Sequence, residues 1–199
     1  MNKYEYNHLG KIMFRKKLLL TLFLLMSTLY AENQIAINLN SEDVELQGAY
    51  GLNSALGYDG GIVLSVDTSY LFNENNNLFT LGINGKNSLE AAPGLIFGFG
   101  FEAAFAKDFM AIPLMGQVRY ILPFDSDIPT TSLFARYAYA PSMLTFVDGE
   151  TYSSLRLEAD MEVISNIHLY TGYRNIETDY INVDYTLNDS FYAGLKFDF

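Results

Sequence analysis

The chain has 199 residues, a formal net charge of −11 and 15% aromatic residues, with neither cysteine nor tryptophan. The lack of cysteine excludes disulfides, thiolate metal sites and a thiol nucleophile. Residues 1–31 hold five of the 12 basic residues and one of the 23 acidic residues, so residues 32–199 carry a net charge of −15. This acidity argues against nucleic acid as a partner, because contacts to phosphates require a basic surface.

The first 31 residues have the layout of a secretory signal peptide. A basic start is followed by an apolar run, Leu18–Met26, and then by Ala31 before an acidic, polar stretch. We predict export through a Sec-type signal peptide, residues 1–31, with translation beginning at Met1 or Met13. Residues 32–199 then form one domain. The alternative is an uncleaved helical anchor, but the apolar run is shorter than the ~20 residues that a spanning helix needs.

Segments in which apolar and polar residues alternate recur from residue 34 onward, separated by turn-forming residues. The clearest follows Pro93, where apolar residues occupy every second position from Leu95 to Phe105. Successive strand residues point to opposite faces, so this period predicts strands with one apolar side. Longer loops are predicted at 141–151 and 177–188. The predicted strands are ten, at residues 34–40, 44–52, 60–72, 78–86, 93–106, 109–122, 131–140, 152–164, 167–176 and 190–199.

The last predicted strand has the sharpest alternation. One side is wholly apolar and ends in an aromatic residue, whereas the other side carries small or charged residues. A final strand of this kind resembles the assembly signal of bacterial outer-membrane β-barrels. We therefore expect the barrel-assembly machinery to be a partner that reads the apolar side of this strand, through Phe191, Leu195, Phe197 and Phe199.

Alternation alone does not tell whether the apolar sides face outward, as in a membrane barrel, or inward, as in a soluble ligand-binding barrel. Several apolar sides run uninterrupted for about ten residues, the length that a tilted strand needs to cross a bilayer. The arginines after residue 31 all lie on the polar side, and facing hydrocarbon would cost each of them about 2–4 kcal/mol. Both observations favour a membrane barrel. The arginines are Arg119, Arg136, Arg156 and Arg174.

The predicted fold is all-β, an antiparallel up-and-down transmembrane β-barrel of ten strands, with eight strands as the alternative. The predicted location is the bacterial outer membrane. An even strand number places both chain termini in the periplasm. The tight turn at Ser165–Asn166 then faces the periplasm, and the loops 141–151 and 177–188 face outward. We expect outer-membrane lipids and lipopolysaccharide as partners, and a monomeric state.

The strongest polar pattern is a ladder of acidic and basic residues on the side expected to face the lumen. One interpretation is a charged constriction that selects small ions or solutes. The other is a plug of salt-bridged side chains, because barrels of about eight strands have interiors just wide enough for side chains to fill. We favour the plug. The ladder comprises Glu102, Arg119, Arg136, Arg156, Glu158, Asp160, Glu162 and Arg174.

One histidine follows residue 31, His168, and it invites comparison with outer-membrane lipid-modifying enzymes. Those enzymes pair a histidine with a serine and an orienting group. The deacylase pattern has a serine two residues after the histidine, whereas here Leu169 and Tyr170 follow His168. The acidic segments Asp125–Asp127 and Asp179–Asp189 lack the spacing of a calcium loop. We therefore assign no catalytic, cofactor-binding or metal-binding residue, and we expect a protein that is not an enzyme and needs no cofactor.

The chain resembles the YfaZ-like family of small outer-membrane proteins over roughly residues 44–199. The resemblance rests on the paired segments within Gly94–Leu122, the run RYAYAP at 136–141, the Leu155–Tyr173 hairpin that closes in Gly-Tyr-Arg, and the aromatic C-terminus. The family implies a barrel in the outer membrane and no known substrate. The expected function is structural, at the cell surface, with a plugged lumen. The alternatives are a narrow channel, a lipid-modifying enzyme and a soluble ligand-binding barrel.

Overall fold

The computed structural model describes residues 33–58, 60–73, 76–124, 129–180 and 183–199, with only the backbone of residues 183 and 184. The predicted signal peptide and the segment 125–127 lie outside the described residues. A short helix, α1 (Asn53–Leu56), and a 3₁₀ turn at Ser142–Leu144 accompany the strands. The strands are β1 (Gln34–Leu39), β2 (Asp43–Gly51), β3 (Val63–Asn73), β4 (Leu78–Ser88), β5 (Leu95–Ala106), β6 (Phe109–Ala111), β7 (Leu114–Ile121), β8 (Thr131–Ala140), β9 (Thr145–Val147), β10 (Gly149–Ile164), β11 (Ile167–Tyr180) and β12 (Val183–Asp198).

The sheet closes on itself as a ten-stranded antiparallel barrel. Neighbours along the chain pair in the order β1, β2, β3, β4, β5, β7, β8, β10, β11 and β12. The barrel is completed where β1 meets β12, with Gln34 opposite Asp198 and Leu39 opposite Ala193. The short strands β6 and β9 pair with each other and extend the wall beside β5. Ten strands are therefore confirmed, and the alternative of eight is wrong.

The apolar sides of the strands face outward, as predicted for a membrane barrel. On β5, Phe99 is 72% exposed while Glu102 and Ala104 are buried, and on β12 Phe191 is 78% exposed. Such a distribution is the reverse of that in a soluble barrel, where large apolar side chains lie inside because leaving water lowers their free energy. Most of the buried polar residues lie on the inner side of the wall, among them Asn38, Glu45, Asn84, Glu102, Arg174 and Lys196.

Two predicted loops are shorter than expected. β11 continues to Tyr180 and β12 begins at Val183, so the predicted loop 177–188 is wrong. The inward positions of this hairpin carry buried Ile176 and Thr178, and its outward residue Glu177 is polar and exposed, which hides the period. The loop predicted at 141–151 also ends early, since β10 begins at Gly149.

A β-bulge in the β11–β12 hairpin interrupts the simple alternation. The pairing shifts between Ile176 and Glu177, which lie opposite Asn188 and Thr186. Leu187 is the extra residue on β12, and both Leu187 and Asn188 are buried. A bulge re-aims side chains in this way because two residues oppose one. Two consecutive residues of β12 are therefore buried, although the period predicts one of them outside.

The connections between strands lie at two ends of the barrel, a terminal end and a distal end. At the terminal end, which holds both chain ends, Asn33 and Phe199 exchange backbone hydrogen bonds of 3.2 and 3.0 Å. The connections there span residues 52–62, 89–94 and 122–130 and the tight turn 165–166. At the distal end the connections span residues 40–42, 74–77, 107–108, 141–148 and 181–182. Long connections thus occur at both ends, so loop length does not orient the barrel, and its orientation stays a prediction.

Within the part of the chain that the structure describes, no helix is long and apolar enough to cross a membrane.

Candidate functional site: the lumen

The distal end of the lumen is filled by apolar side chains, which we call the apolar plug. Phe109 lies at its centre, with ring centroids 6.1 Å from Tyr152 and 5.5 Å from Tyr180. Leu144, Tyr180 and Tyr185 pack around it. Hydrated ions find no polar partner in such a layer, because it offers nothing to replace their hydration shell. The plug consists of Leu71, Leu78, Ala104, Phe109, Ala111, Met115, Ala138, Ala140, Tyr152, Ile176 and Leu187.

Below the plug, the carboxylate of Glu45 on β2 holds two arginines from the opposite wall. Its oxygens accept bonds from Arg156 Nη1 at 3.0 Å and Nη2 at 2.6 Å, and from Arg174 Nη1 at 2.5 Å. Asn38 Nδ2 at 2.8 Å and Gln47 Nε2 at 3.0 Å complete its partners. Arg174 is 0% exposed. These five residues, the Glu45 cluster, tie β1 and β2 to β10 and β11 across the lumen.

Two tyrosines pack against this cluster. Tyr192 donates its hydroxyl to Glu158 Oε1 at 2.8 Å, and its ring lies 5.2 Å from the guanidinium of Arg174. A Cβ at Gly172 would lie 2.7 Å from the Tyr192 hydroxyl oxygen, so this position on β11 requires glycine. Tyr170 contacts Asn38 Nδ2 through its hydroxyl at 3.3 Å. The aromatic rings thereby fill the space that the charged groups leave.

A second group, the Asp160 cluster, lies nearer the terminal end. Asp160 binds Lys196 Nζ at 2.8 Å through one oxygen and His168 Nδ1 at 2.8 Å through the other. His168 Nε2 lies 3.1 Å from Asp198 Oδ2. These contacts join β10, β11 and β12. Since β12 forms the seam with β1, the cluster reinforces the wall beside the point where the barrel closes.

The remaining ladder residues make separate contacts. Arg136 forms an ion pair with Glu102 across β7. Arg119 donates to Ser132 Oγ at 3.1 Å and lies 5.3 Å from the ring of Phe134, and no carboxylate partner is found for it among the described residues. Glu162 lies at the β10–β11 turn, where its carboxylate accepts the backbone N–H of Asn166 at 3.1 Å.

The predicted ladder is thus brought together only in part. Arg156 lies 3.5 Å from Glu158, and Arg136 meets Glu102, but Arg174 pairs with Glu45 and, at 3.7 Å, with Asp43. Sequence reasoning missed Glu45, Asp43 and Lys196. A signal existed for all three: Asp43 and Glu45 alternate with outward Val44 and Leu46, and Lys196 lies on the polar side of the last strand.

The other predicted residues have plain structural settings. His168 contacts two carboxylates, and among the described residues no serine is found in contact with it. Asp189 accepts the Tyr173 hydroxyl at 2.7 Å, and the described residues contain no cluster of three potential metal ligands. For Asp184 the structure describes the backbone alone. Phe191, Leu195, Phe197 and Phe199 are exposed on the outer surface, and their recognition by an assembly machinery stays a prediction.

A polar cavity of about 160 Å³ lies between the Glu45 cluster and the terminal end. Five cationic side chains line it, against the carboxylates of Asp67 and Glu158. The cations are Lys86, Arg119, Arg136, Arg156 and Lys196. The lumen therefore has three layers: an apolar plug, a compact charged cluster, and a partly open polar chamber.

Comparison with known proteins agrees with the resemblance found in the sequence. Residues 115–199 match the family model described as YfaZ precursor. The predicted resemblance to the YfaZ-like family is confirmed over these residues, whereas the match does not extend to residues 44–114. No curated protein matches the chain.

Two solved membrane-protein structures resemble this barrel at low identity. One is described as a bacterial polysaccharide outer membrane secretin, with a TM-score of 0.48 and 11% identity, covering 83% of this chain and 69% of the other. Another is the KdgM porin in complex with disordered oligogalacturonate, with a TM-score of 0.45 and 9% identity, covering 84% of this chain and 99% of the other.

Proposed function

We propose that this protein is an outer-membrane barrel with a closed lumen and a structural role in the cell envelope, and that it is not an enzyme. The observation that carries the proposal is the fully buried Arg174, held by Glu45 beneath the apolar plug. A guanidinium without contact to water inside a barrel supports closure, because side chains, and not solvent, surround it at that level of the lumen.

The energetics support closure. Removing one partner of a buried ion pair lowers the stability of the folded protein by about 3–5 kcal/mol. A conducting path would have to part Arg174 and Arg156 from Glu45 and also separate Phe109 from Tyr152 in the plug. Each of these layers obstructs ions by itself, and the two are stacked. The exposed aromatic and aliphatic side chains of the outer wall suit contact with lipid, as the predicted partners require.

The second candidate is a narrow channel, and the polar cavity favours it. Its cationic lining would attract anions toward the lumen. For ions to pass, the plug would have to open in a state that differs from this one. A catalytic role finds less support, since both ring nitrogens of His168 face carboxylates, which leaves neither nitrogen facing a nucleophile.

Planar-bilayer recording tests closure. The protein refolded from residue 32 onward should be electrically silent. A Phe109→Ala/Tyr152→Ala/Glu45→Ala/Arg174→Ala variant should give current steps, because it hollows the plug and the Glu45 cluster together. Phe105→Ala is the matched control. Phe105 precedes Phe109 by four residues, across the turn at 107–108, and it lies on the outer surface, so its loss leaves the plug intact. Regular current steps from the unaltered protein, changed by Arg136→Gln/Glu158→Gln, would overturn closure in favour of the channel.

A further inference from the structure

Among the residues that the structure describes, the inner surface of the barrel carries six lysines and arginines, and two of these form no ion pair with a described carboxylate. Arg136, Arg156, Arg174 and Lys196 each form an ion pair with a carboxylate. Lys86 and Arg119 line the polar cavity, and no carboxylate is found within ion-pair distance of either among the residues that the structure describes. Two unneutralised cations therefore share one chamber in a chain whose net charge is strongly negative.

The sheet register places these two cations on either side of β5. Lys86 on β4 lies opposite Gly98, and Gly98 lies opposite Gln117 on β7. Arg119 is the next inward residue on β7 toward the terminal end. A Cβ at Gly98 would lie 2.6 Å from Gln117 Nε2, so glycine leaves room for the Gln117 side chain to cross β5 and donate to Asn84 at 3.1 Å. The Gln117 amide therefore lies over Gly98, on the strand between the two cations, and is a further polar group of the chamber.

The acidic residues of the cavity are engaged elsewhere. Asp67 accepts hydrogen bonds from Ser65 at 3.1 Å and from Asn84, both neutral donors. Glu158 is held by the Tyr192 hydroxyl at 2.8 Å and lies 3.5 Å from Arg156. Neither carboxylate is within ion-pair distance of Lys86 or Arg119. Among the described residues, Lys86 and Arg119 therefore have no ion-paired carboxylate, in a chamber that also holds amide and hydroxyl groups and the carboxylate of Asp67.

We propose that this chamber binds a small oxyanion, of the phosphate or carboxylate class, between Lys86 and Arg119. A guanidinium presents a planar fork of donors that matches two oxygens of such an anion, and an ammonium adds a compact charge. The cavity of about 160 Å³ equals the liquid volume of about five water molecules at roughly 30 Å³ each. Small free anions fit that space, and the neighbouring residues Gln47 and Ser69 line it as further hydrogen-bonding groups.

The test is isothermal titration of the folded barrel in detergent with inorganic phosphate and, separately, with acetate. Saturable binding of at least one probe is expected. Lys86→Gln/Arg119→Gln should weaken it by tenfold or more, because the variant removes both charged donors that face the anion. Lys86→Arg/Arg119→Lys should retain binding, since both charges remain. Lys107→Gln is the matched control: it removes one cation from an exposed turn at the distal end.

Retained heat-dependent gel mobility establishes that each variant is folded before it is titrated. Equal affinity in the unaltered protein and in the folded double glutamine variant would overturn the proposal, as would the absence of saturable binding by either probe. The site does not depend on a closed lumen. A barrel that conducts and still binds phosphate at Lys86 and Arg119 would refute closure alone, and a silent barrel that binds neither anion would refute the site alone.

Discussion

Replacing Glu45 by glutamine removes the one negative charge that holds Arg156 and Arg174 together. Glu45 accepts three bonds from guanidinium groups, at 3.0, 2.6 and 2.5 Å. Its substitute has one carbonyl oxygen, so it keeps part of this bonding and turns an amide N–H₂ toward a cation. The variant leaves the two guanidinium groups with only the longer contacts to Asp43 and Glu158, at 3.7 and 3.5 Å. We therefore expect the Glu45→Gln barrel to lose about 3 kcal/mol of unfolding free energy, the lower end of the cost of breaking a buried ion pair.

Urea unfolding in lipid vesicles measures this loss. The chain has no tryptophan, so far-ultraviolet circular dichroism and the fraction of unheated, fast-migrating protein on gels are suitable readouts. Glu42→Gln is the matched control, because it makes the same chemical change three residues earlier, on an exposed turn. Its midpoint should equal that of the unaltered protein.

A double-mutant cycle assigns the loss to the ion pair. Arg174→Gln alone should also be strongly destabilising, and the Glu45→Gln/Arg174→Gln protein should be more stable than the sum of the single effects by about 0.5–3 kcal/mol. If Glu45→Gln unfolds at the same urea concentration as Glu42→Gln, the cluster does not hold the lumen together, and the reasoning above is refuted.

Three further predictions concern the wall and the histidine. Leu157→Arg places a charge on the lipid-facing side in the middle of β10 and should cost about 2–4 kcal/mol in vesicles; a cost near zero would mean that Leu157 faces water. Gly172→Ala should destabilise the barrel by about 1–3 kcal/mol, because its Cβ would lie 2.5 Å from the backbone oxygen of Leu157 and 2.7 Å from the Tyr192 hydroxyl. Gly116→Ala, whose nearest neighbour is 3.6 Å away, should not; equal midpoints would contradict the close packing. Purified protein incubated with lipid A or phospholipid should give no product by mass spectrometry, and a product that disappears in His168→Ala would instead identify an enzyme.

The wall of the barrel was predictable because its determinants are local. Alternation fixes which residues share a side, and Phe97, Phe99 and Phe101 on β5 make the lipid-facing side unmistakable. Where the outward residues turn polar, as at Glu177, the same rule loses its contrast, and the hairpin was predicted as a loop. The bulge at Leu187 adds a residue that no period reveals.

The sequence predicts which residues line the lumen, but not which of them contact one another. The sequence places Arg174 on the inner side, but its partner Glu45 is 129 positions away along the chain, and alternation does not tell which inner residues face each other across the barrel. That depends on strand number, stagger and side-chain length. Pairs on neighbouring strands, such as His168 and Asp160, follow more directly from a hairpin whose turn is known.

Cysteine labelling tests the closed lumen most directly, since the chain has no cysteine of its own. Lys107→Cys reports access from the distal end, and Lys86→Cys reports access to the polar cavity. With a membrane-impermeant thiol reagent added outside sealed vesicles, a closed lumen predicts complementary labelled fractions for the two variants, because each orientation exposes only one site. Labelled fractions that sum to clearly more than one, as when Lys86→Cys and Lys107→Cys both react completely, would demonstrate an open path through the plug and contradict the closed barrel.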